Sequence, residues 1–585
     1  MLDAARGDTL GGALTWLDWS VVVGLFAATS WIGTHFAGKQ ATIRDFFLGG
    51  RKLPWYAVSG SIIATEISAV TLISLPSVIF KPGGNITYLQ LGLIGLFIAR
   101  WIVALWLVPA YYEREIYSPY DFLAQRLGER ARNVTTVFFA IGCVLGQSAR
   151  IYLTGLVLEI VLYDEFAWIA AHTGIPGIAA AIAVIGIVSV VWTWTGGMAT
   201  VIWTDTALFV IFLIAIAAAL ITVVVHVEGG AGEVARLGAE AGKFRFFDLS
   251  LDPKREYTLW TALIANTWVG VGAFGTDQLM AQRVFCCKNV RDAQKAMVTS
   301  YASMLVAVLV SLVGIGLYAY YHQHPLSGES LRLYDEKNDR IFPLFIVQVM
   351  PTPMRGLIVA GVFAAAISTV ESVLAALSQT TISAFWLPRR RRRGIPDDVH
   401  EQRRVVRLSR ALVIFFGVAL SLLAVLTQFV ERDPRFSAVL NLALSLSGYT
   451  QGALLAGFVL AWFKWGVDGS GLEWSAPLSL LTVFAVAWQP HVVDGQLQSA
   501  WARDAVWIAT VVFALAWVLW RWTSRRESTA HKLVATAWLA LGLSIAHLVQ
   551  FAHFTVAWPW FVPIGCTTAT LFGYLLARPK PEESP

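Results

Sequence analysis

Apolar stretches of about 20 residues recur along nearly the whole chain, and short loops between them collect most of the charge. A helix rises 1.5 Å per residue, so each stretch matches the roughly 30 Å hydrocarbon core of a bilayer. The pattern predicts an all-α polytopic membrane protein with about 15 spans. They fall near residues 15–36, 54–79, 84–110, 131–161, 166–192, 196–226, 258–281, 295–321, 354–386, 404–430, 436–464, 471–489, 502–522, 532–552 and 555–577. Trp101, Trp106, Trp517, Trp520 and Trp522 sit where interfacial anchors are expected.

Two of these apolar runs are interrupted by polar islands. Residues Ile62 to Ser68 read IIATEIS, and Ala365 to Ser372 read AAISTVES. Each puts hydroxyls and a carboxylate, Glu66 or Glu371, into a segment that otherwise carries Leu, Val and Phe. In hydrocarbon such groups cost several kcal/mol each unless something pairs with them. The span 54–79 also has Gly60, Thr71, Ser74 and Pro76, a mixture that favours a helix broken at its middle with backbone carbonyls freed for a cation. The span 258–281, with Gly270, Gly272 and Gly275 ahead of Asp277 and Gln278, also looks interruptible. Two interrupted helices at corresponding positions of two five-helix halves point to an inverted-repeat transporter with its site near the midplane. In the span 354–386, Ala365, Ser368 and Thr369 stand at i, i+3 and i+4 and so share a face. Their oxygens, with carbonyls of Ala64 and Ile67, suit a hard monovalent cation such as Na+. Close packing of small residues is an equally good reading of the same positions.

Composition agrees with the pattern: 57% of the 585 residues are hydrophobic and 14% charged. The net charge of +6 is dominated by Arg389 to Arg393, with Arg403, Arg404, Arg407 and Arg410. With the N-terminus outside, inner loops hold about 28 basic residues against about 14 outside. The basic block is therefore read as a cytoplasmic topology anchor, with nucleic acid excluded as a partner, and the C-terminus falls on the cytoplasmic side of the plasma (inner) membrane. The first apolar run reads as a retained span. Four cysteines, Cys143, Cys286, Cys287 and Cys566, make neither metal spacing nor a disulfide framework. Catalytic signatures are missing, and the ten histidines are scattered toward loop edges. The expected loops do not exceed about 30 residues (227–257 and 323–353), which argues against an enzyme or a receptor.

Six stretches in register resemble the sodium/solute symporter family, which includes sodium/glucose, sodium/proline, sodium/iodide and sodium/sialic acid transporters. They are DFFLGGRKLPWY (Asp45 to Tyr56), ATEISAVT from Ala64, LVPAYYEREIYSPYDFLAQRLG (Leu107 to Gly128), TWTGGMATVIWTD (Thr193 to Asp205), GAFGTDQLMAQR (Gly272 to Arg283) and AAISTVES. The resemblance covers about residues 15–465. It implies a LeuT-type 5+5 core: a leading segment 1–53, repeats at 54–226 and 258–465, an outer loop 227–257 between them, and trailing helices with a tail over 466–585. It also implies Na+ as the coupling ion, held at a main site by Ala64, Ile67, Ala365, Ser368 and Thr369. Some family members bind a second cation through residues matched here by Asp205 and Ser372, with Glu371 standing where relatives carry a small polar residue. The solute is expected among Glu66, Thr71, Gln147, Arg150, Phe274 and Gln451. Arg150 either recognises an anionic solute, such as a monocarboxylate or acidic sugar, or pairs internally with Glu66 or another acid. Arg100 reads as structural. The Tyr-Trp pair of sugar-transporting relatives is replaced by Ala273 and Phe274, which disfavours a sugar-stacking gate. A proton-coupled transporter or a transport-like membrane sensor is the alternative function.

Overall fold

The computed structural model describes residues 14–36, 42–67, 69–113, 116–395, 398–430, 439–463, 465–487, 529–551 and 556–578, with short pieces between 492 and 523. Among the described residues the chain is helical, apart from a two-residue pairing of Val492–Val493 with Gln496–Leu497 and a single bridge between Leu53 and Cys287. We label the helices that build the core α1 (Trp16–Phe36), α2 (Trp55–Glu66), α3 (Ala69–Phe80), α4 (Ile86–Tyr112), α5 (Glu129–Val161), α6 (Gly177–Trp194) and α7 (Gly197–His226). After a short outer helix, α8 (Gly230–Glu240), come α9 (261–276), α10 (Gln278–Val284), α11 (Val290–Gln323), α12 (Met354–Arg392), α13 (Val399–Val430) and α14 (Val439–Trp462). The trailing helices are α15 (Leu472–Ala487), α16 (Thr529–Phe551) and α17 (Phe561–Leu575).

Eight helices among the described residues are long and apolar enough to cross a bilayer, or nine when the bent pair α2–α3 counts as one span. The expected span 258–281 is instead cut near its end by Asp277, and 502–522 lies mostly outside the described residues. The expected span 166–192 starts late, at Gly177. Gly174 (φ 72°) closes a short helix, Tyr163–Thr173, and Pro176 stands just outside the next, so one helix cannot run through. Gly197 (φ 61°) then separates α6 from α7, a conformation that only glycine adopts freely.

Two interruptions position the site. At the end of α2, Ile67 leaves helical geometry (φ −82°, ψ 109°), and the axis bends by 53° into α3. Among the described residues the ladder of α2 runs as far as the bond from the Ile67 N–H to the Ile63 carbonyl at 3.0 Å. Ser68 lies outside the described residues. The second half has a matching break. α9 ends at Thr276, Asp277 is extended (φ −78°, ψ 131°), and its carboxylate caps α10 by accepting from the Leu279 N–H at 2.8 Å.

Against these broken elements lies α12, whose apolar window is 94% buried, so protein surrounds it and its polar residues need not face lipid. It packs on α1, α2, α3, α5, α6–α7, α10 and α13. Outside the bundle, Lys243 in the loop after α8 donates to the Ile79, Phe80 and Lys81 carbonyls at 2.8, 3.1 and 2.8 Å, closing the C-terminal end of α3.

Candidate functional site

Ala64, Ile67, Ala365 and Ser368 surround one small void of about 10 Å³, closed on its far side by Leu208, Phe209 and Phe212 of α7. That is room for a single water-sized occupant. Thr369 faces the larger cavity next door, whose wall also includes Ile67. The two hydroxyls are oriented by their own bonds. Thr369 Oγ1 donates to the Ala365 carbonyl at 2.9 Å, and Ser368 Oγ donates to Asp205 Oδ1. Both hydroxyl protons are thus committed to neighbouring acceptors, and the surface of the void itself is almost wholly apolar. A set of neutral oxygens with no thiolate or imidazole suits a hard monovalent ion.

Asp205, on α7, is fully buried and both of its oxygens are used. Oδ1 accepts from Ser368, while Oδ2 accepts from Ser61 at 2.6 Å and from Arg283 Nη2 at 2.9 Å. Arg283, from α10, is likewise fully buried. Its Nε donates to Ser61 at 2.8 Å, and its other nitrogens donate to the Leu279 carbonyl and to Ser372 Oγ. Ser372 passes its own proton to the Ser368 carbonyl at 2.7 Å. Glu371 is buried in the same region, and its Oε2 has no hydrogen-bond partner. The three residues assigned to a second cation from sequence therefore lie together, but around an arginine that the sequence pattern does not place there.

The larger cavity, about 250 Å³, lies between the two broken helices and helices α5 and α14. Glu66, Thr71, Gln147, Arg150, Phe274 and Gln451 all line it, so the fold gathers the whole set expected for the solute. Its apolar wall comes from residues such as Phe139, Leu89, Met280 and Trp558. Glu66 is not the partner of Arg150. It is held by Arg100, whose guanidinium also reaches Ser300 at 3.1 Å and Ser303 at 3.2 Å and lies 4.0 Å from the centroid of Phe274. Arg150 makes no hydrogen bond or ion pair among the described residues, and its charged neighbour in the wall is Asp277. Gln147 Oε1 is also buried without a partner. The lining thus carries a guanidinium without a hydrogen bond and two acceptors without partners, Gln147 Oε1 and Glu66 Oε1, over an apolar floor. Asp277 and Asn266 also line it and fall outside the expected set, as do Tyr88, Ser303 and Thr450. In the sequence Asp277 is visible only as a break next to glycines.

The different bonding of the two arginines gives a direct contrast. Arg100→Gln leaves Glu66 as an uncompensated, largely buried charge and is expected to cost about 3 kcal/mol of stability. Arg150→Gln removes no internal pair and is expected to leave stability within about 1 kcal/mol of the parent. Unfolding midpoints of the two purified variants in solute-free buffer check this.

Comparison with known proteins agrees with this architecture. The profile of the sodium:solute symporter family matches residues 46–476. Human sodium-coupled monocarboxylate transporter 2 is 27% identical over 79% of this chain and 71% of its own length. The sodium/sialic acid symporter SiaT of Proteus mirabilis is 25% identical over 75% of this chain and 84% of its own. The human sodium/iodide cotransporter is 26% identical over 74% of this chain and 63% of its own. Among solved structures, a Na+-coupled sialic acid symporter in a substrate-bound, outward-open state superposes with a TM-score of 0.71 at 21% identity, covering 96% of this chain and 99% of that one. The fold is therefore that of a LeuT-like transporter, and sodium-coupled solute transport, not enzymatic catalysis, is the activity of the group. The chain belongs to the sodium:solute symporter family.

Proposed function

We propose that the protein imports a small organic anion, a monocarboxylate in the simplest case, together with sodium by alternating access. The observation that carries this reading is the uncommitted guanidinium of Arg150 in the cavity wall. Arg150 is half-buried and makes no hydrogen bond or ion pair among the described residues, and a bound carboxylate would satisfy it through two parallel N–H···O bonds. Phe139, Phe274 and Met280 offer an apolar surface for the rest of such a solute. Sodium would bind first, between the carbonyls at the end of α2 and the hydroxyls of α12. By fixing the spacing of those helices it would set the adjoining wall of the solute cavity, because Ile67 borders both spaces. Each ligand then raises the affinity of the other by the same factor.

The driving force limits what such a cycle can do. One charge crossing ~100 mV gains about 2.3 kcal/mol, and a tenfold sodium gradient adds about 1.4 kcal/mol. Together these support roughly 500-fold accumulation of a neutral solute. With one sodium and a monovalent anion the electrical term cancels, leaving about tenfold. In the bilayer we place the N-terminus outside and the Arg389–Arg393 block on the cytoplasmic face of the plasma membrane, as the distribution of basic residues favours. The test is uptake into proteoliposomes: an inward sodium gradient should concentrate a labelled short-chain monocarboxylate, and a potassium gradient of the same size should not. Equal uptake under both gradients would remove sodium coupling of that solute.

A further inference from the structure

Residues 389–410, where α12 ends and α13 begins, hold nine arginines against three acids, a surplus equal to the whole chain's net charge of +6. These arginines are not alike. Arg392 pairs with Glu129, which also lies 3.7 Å from Arg132. Arg404 lies 3.7 Å from Glu401 and 5.5 Å from the centroid of Trp386. Arg403, Arg407 and Arg410 make no hydrogen bond or ion pair among the described residues. They stand at i, i+4 and i+7 of α13 and so share one face. That face continues into the span as Ile414, Val418 and Leu422, all exposed. At 1.5 Å per residue, Arg407 stands about 10 Å beyond Ile414, the offset of a headgroup from its acyl chains. Helix α6 runs alongside in the opposite direction. Gly186 sits against Ser421 and Gly417 against Val190, so closely that a methyl group on either glycine would clash. The exposed face of α6, with Ile187, Val191 and Trp194, ends at the level of the arginines. There the Arg410 guanidinium lies 4.9 Å from the centroid of Trp194, and its Nε is enclosed without a partner. Stacking holds the plane of the group and leaves its N–H edge for an acceptor.

We propose that the arginine end of the α6–α13 seam binds one anionic phospholipid, its phosphate held by Arg403, Arg407 and Arg410 and an acyl chain laid along Val191, Ile414 and Val418. Three unpaired guanidiniums at the head of a two-helix apolar seam call for a ligand that is anionic at one end and apolar at the other. A free anion would leave the seam uncovered, and a zwitterionic lipid brings a cation of its own. The site is separate from the sodium void and the solute cavity and depends on neither assignment.

Native mass spectrometry of the purified full chain in neutral detergent, titrated with phosphatidylglycerol or with phosphatidylcholine, counts the bound lipid. The parent should take one phosphatidylglycerol at concentrations where it takes no phosphatidylcholine. Arg403→Gln, Arg407→Gln and Arg410→Gln combined should weaken that binding roughly hundredfold. Arg389→Gln, Arg391→Gln and Arg393→Gln combined remove the same charge from the same block and should weaken it far less. Equal losses in the two triple variants, or equal binding of the two lipids by the parent, would overturn the proposal. So would competition by soluble glycerol phosphate at comparable concentration, which would mark a site for a free anion. A pair of chains that excludes lipid would likewise overturn it and give the seam to a second copy. If the first triple variant does not fold, Arg407→Glu decides. That position is exposed, and the reversed charge should still cost at least about tenfold in phosphatidylglycerol affinity. Unchanged binding in Arg407→Glu would overturn the proposal.

Discussion

Replacing Arg150 with glutamine is expected to weaken solute binding by about two orders of magnitude while leaving sodium binding in solute-free buffer nearly unchanged. Truncating one partner of a buried, hydrogen-bonded charge pair typically costs about 2–5 kcal/mol, and each 1.4 kcal/mol is a tenfold change in affinity. The effect should fall mainly on the solute, because Arg150 makes no hydrogen bond or ion pair among the described residues and has only the charge of Asp277 nearby. Arg150→Lys should recover part of the affinity, since an ammonium keeps the charge but cannot grip a carboxylate with two parallel bonds. Isothermal titration with the solute in saturating sodium separates these outcomes. An Arg150→Gln protein that binds an anionic solute as tightly as the parent would show that the guanidinium does not read the anion.

The second large effect is expected from Ser368→Ala, which should abolish sodium-dependent stabilisation over the concentrations that saturate the parent. The substitution removes the hydroxyl of a residue that lines the small void and leaves Asp205 Oδ1 without its donor. At least a tenfold loss of sodium affinity, about 1.4 kcal/mol, is predicted. Thr369→Ala should cost less. Thr369 faces the larger cavity, and its hydroxyl proton goes to the Ala365 carbonyl, not to a charged group. A melting-temperature titration with NaCl at constant ionic strength, using KCl as the balancing salt, measures both. An unchanged sodium response in Ser368→Ala would remove that hydroxyl from the site.

These expectations depend on features with different visibility in the sequence. The break in the first core helix is legible because polar residues inside an apolar run are costly unless a cavity or a ligand receives them. The bend falls at Ile67, between Thr65 and Thr71. The second break lies later than its glycines suggest. Gly270, Gly272 and Gly275 keep helical geometry and serve close approach instead. A methyl group on them would press against Ala99, Gln451 and Leu107 respectively, each at under 3 Å. The interruption falls at Asp277, whose side chain can cap the next helix. Both arginine pairings are beyond the sequence for a different reason. Glu66 meets Arg100 across 34 positions, and Asp205 meets Arg283 across 78, by routes fixed only when the helices pack. Hydropathy records that a charge is buried but not which opposite charge answers it. The same limit leaves Arg150 with two readings in the sequence; the fold gives Glu66 to another arginine and leaves Asp277 as the acid beside Arg150.

The central claim is that a sodium ion at the α2–α12 junction prepares a cavity in which Arg150 receives an anion. It is tested most directly by the thermal stability of the purified protein against a panel of monocarboxylates, acidic sugars, neutral sugars, amino acids and inorganic anions, in NaCl and in KCl. The account predicts that anionic solutes stabilise the protein, that they do so in sodium and not in potassium, and that Arg150→Gln loses this response. Stabilisation by the same anions in both salts, or by neutral solutes alone, would contradict it.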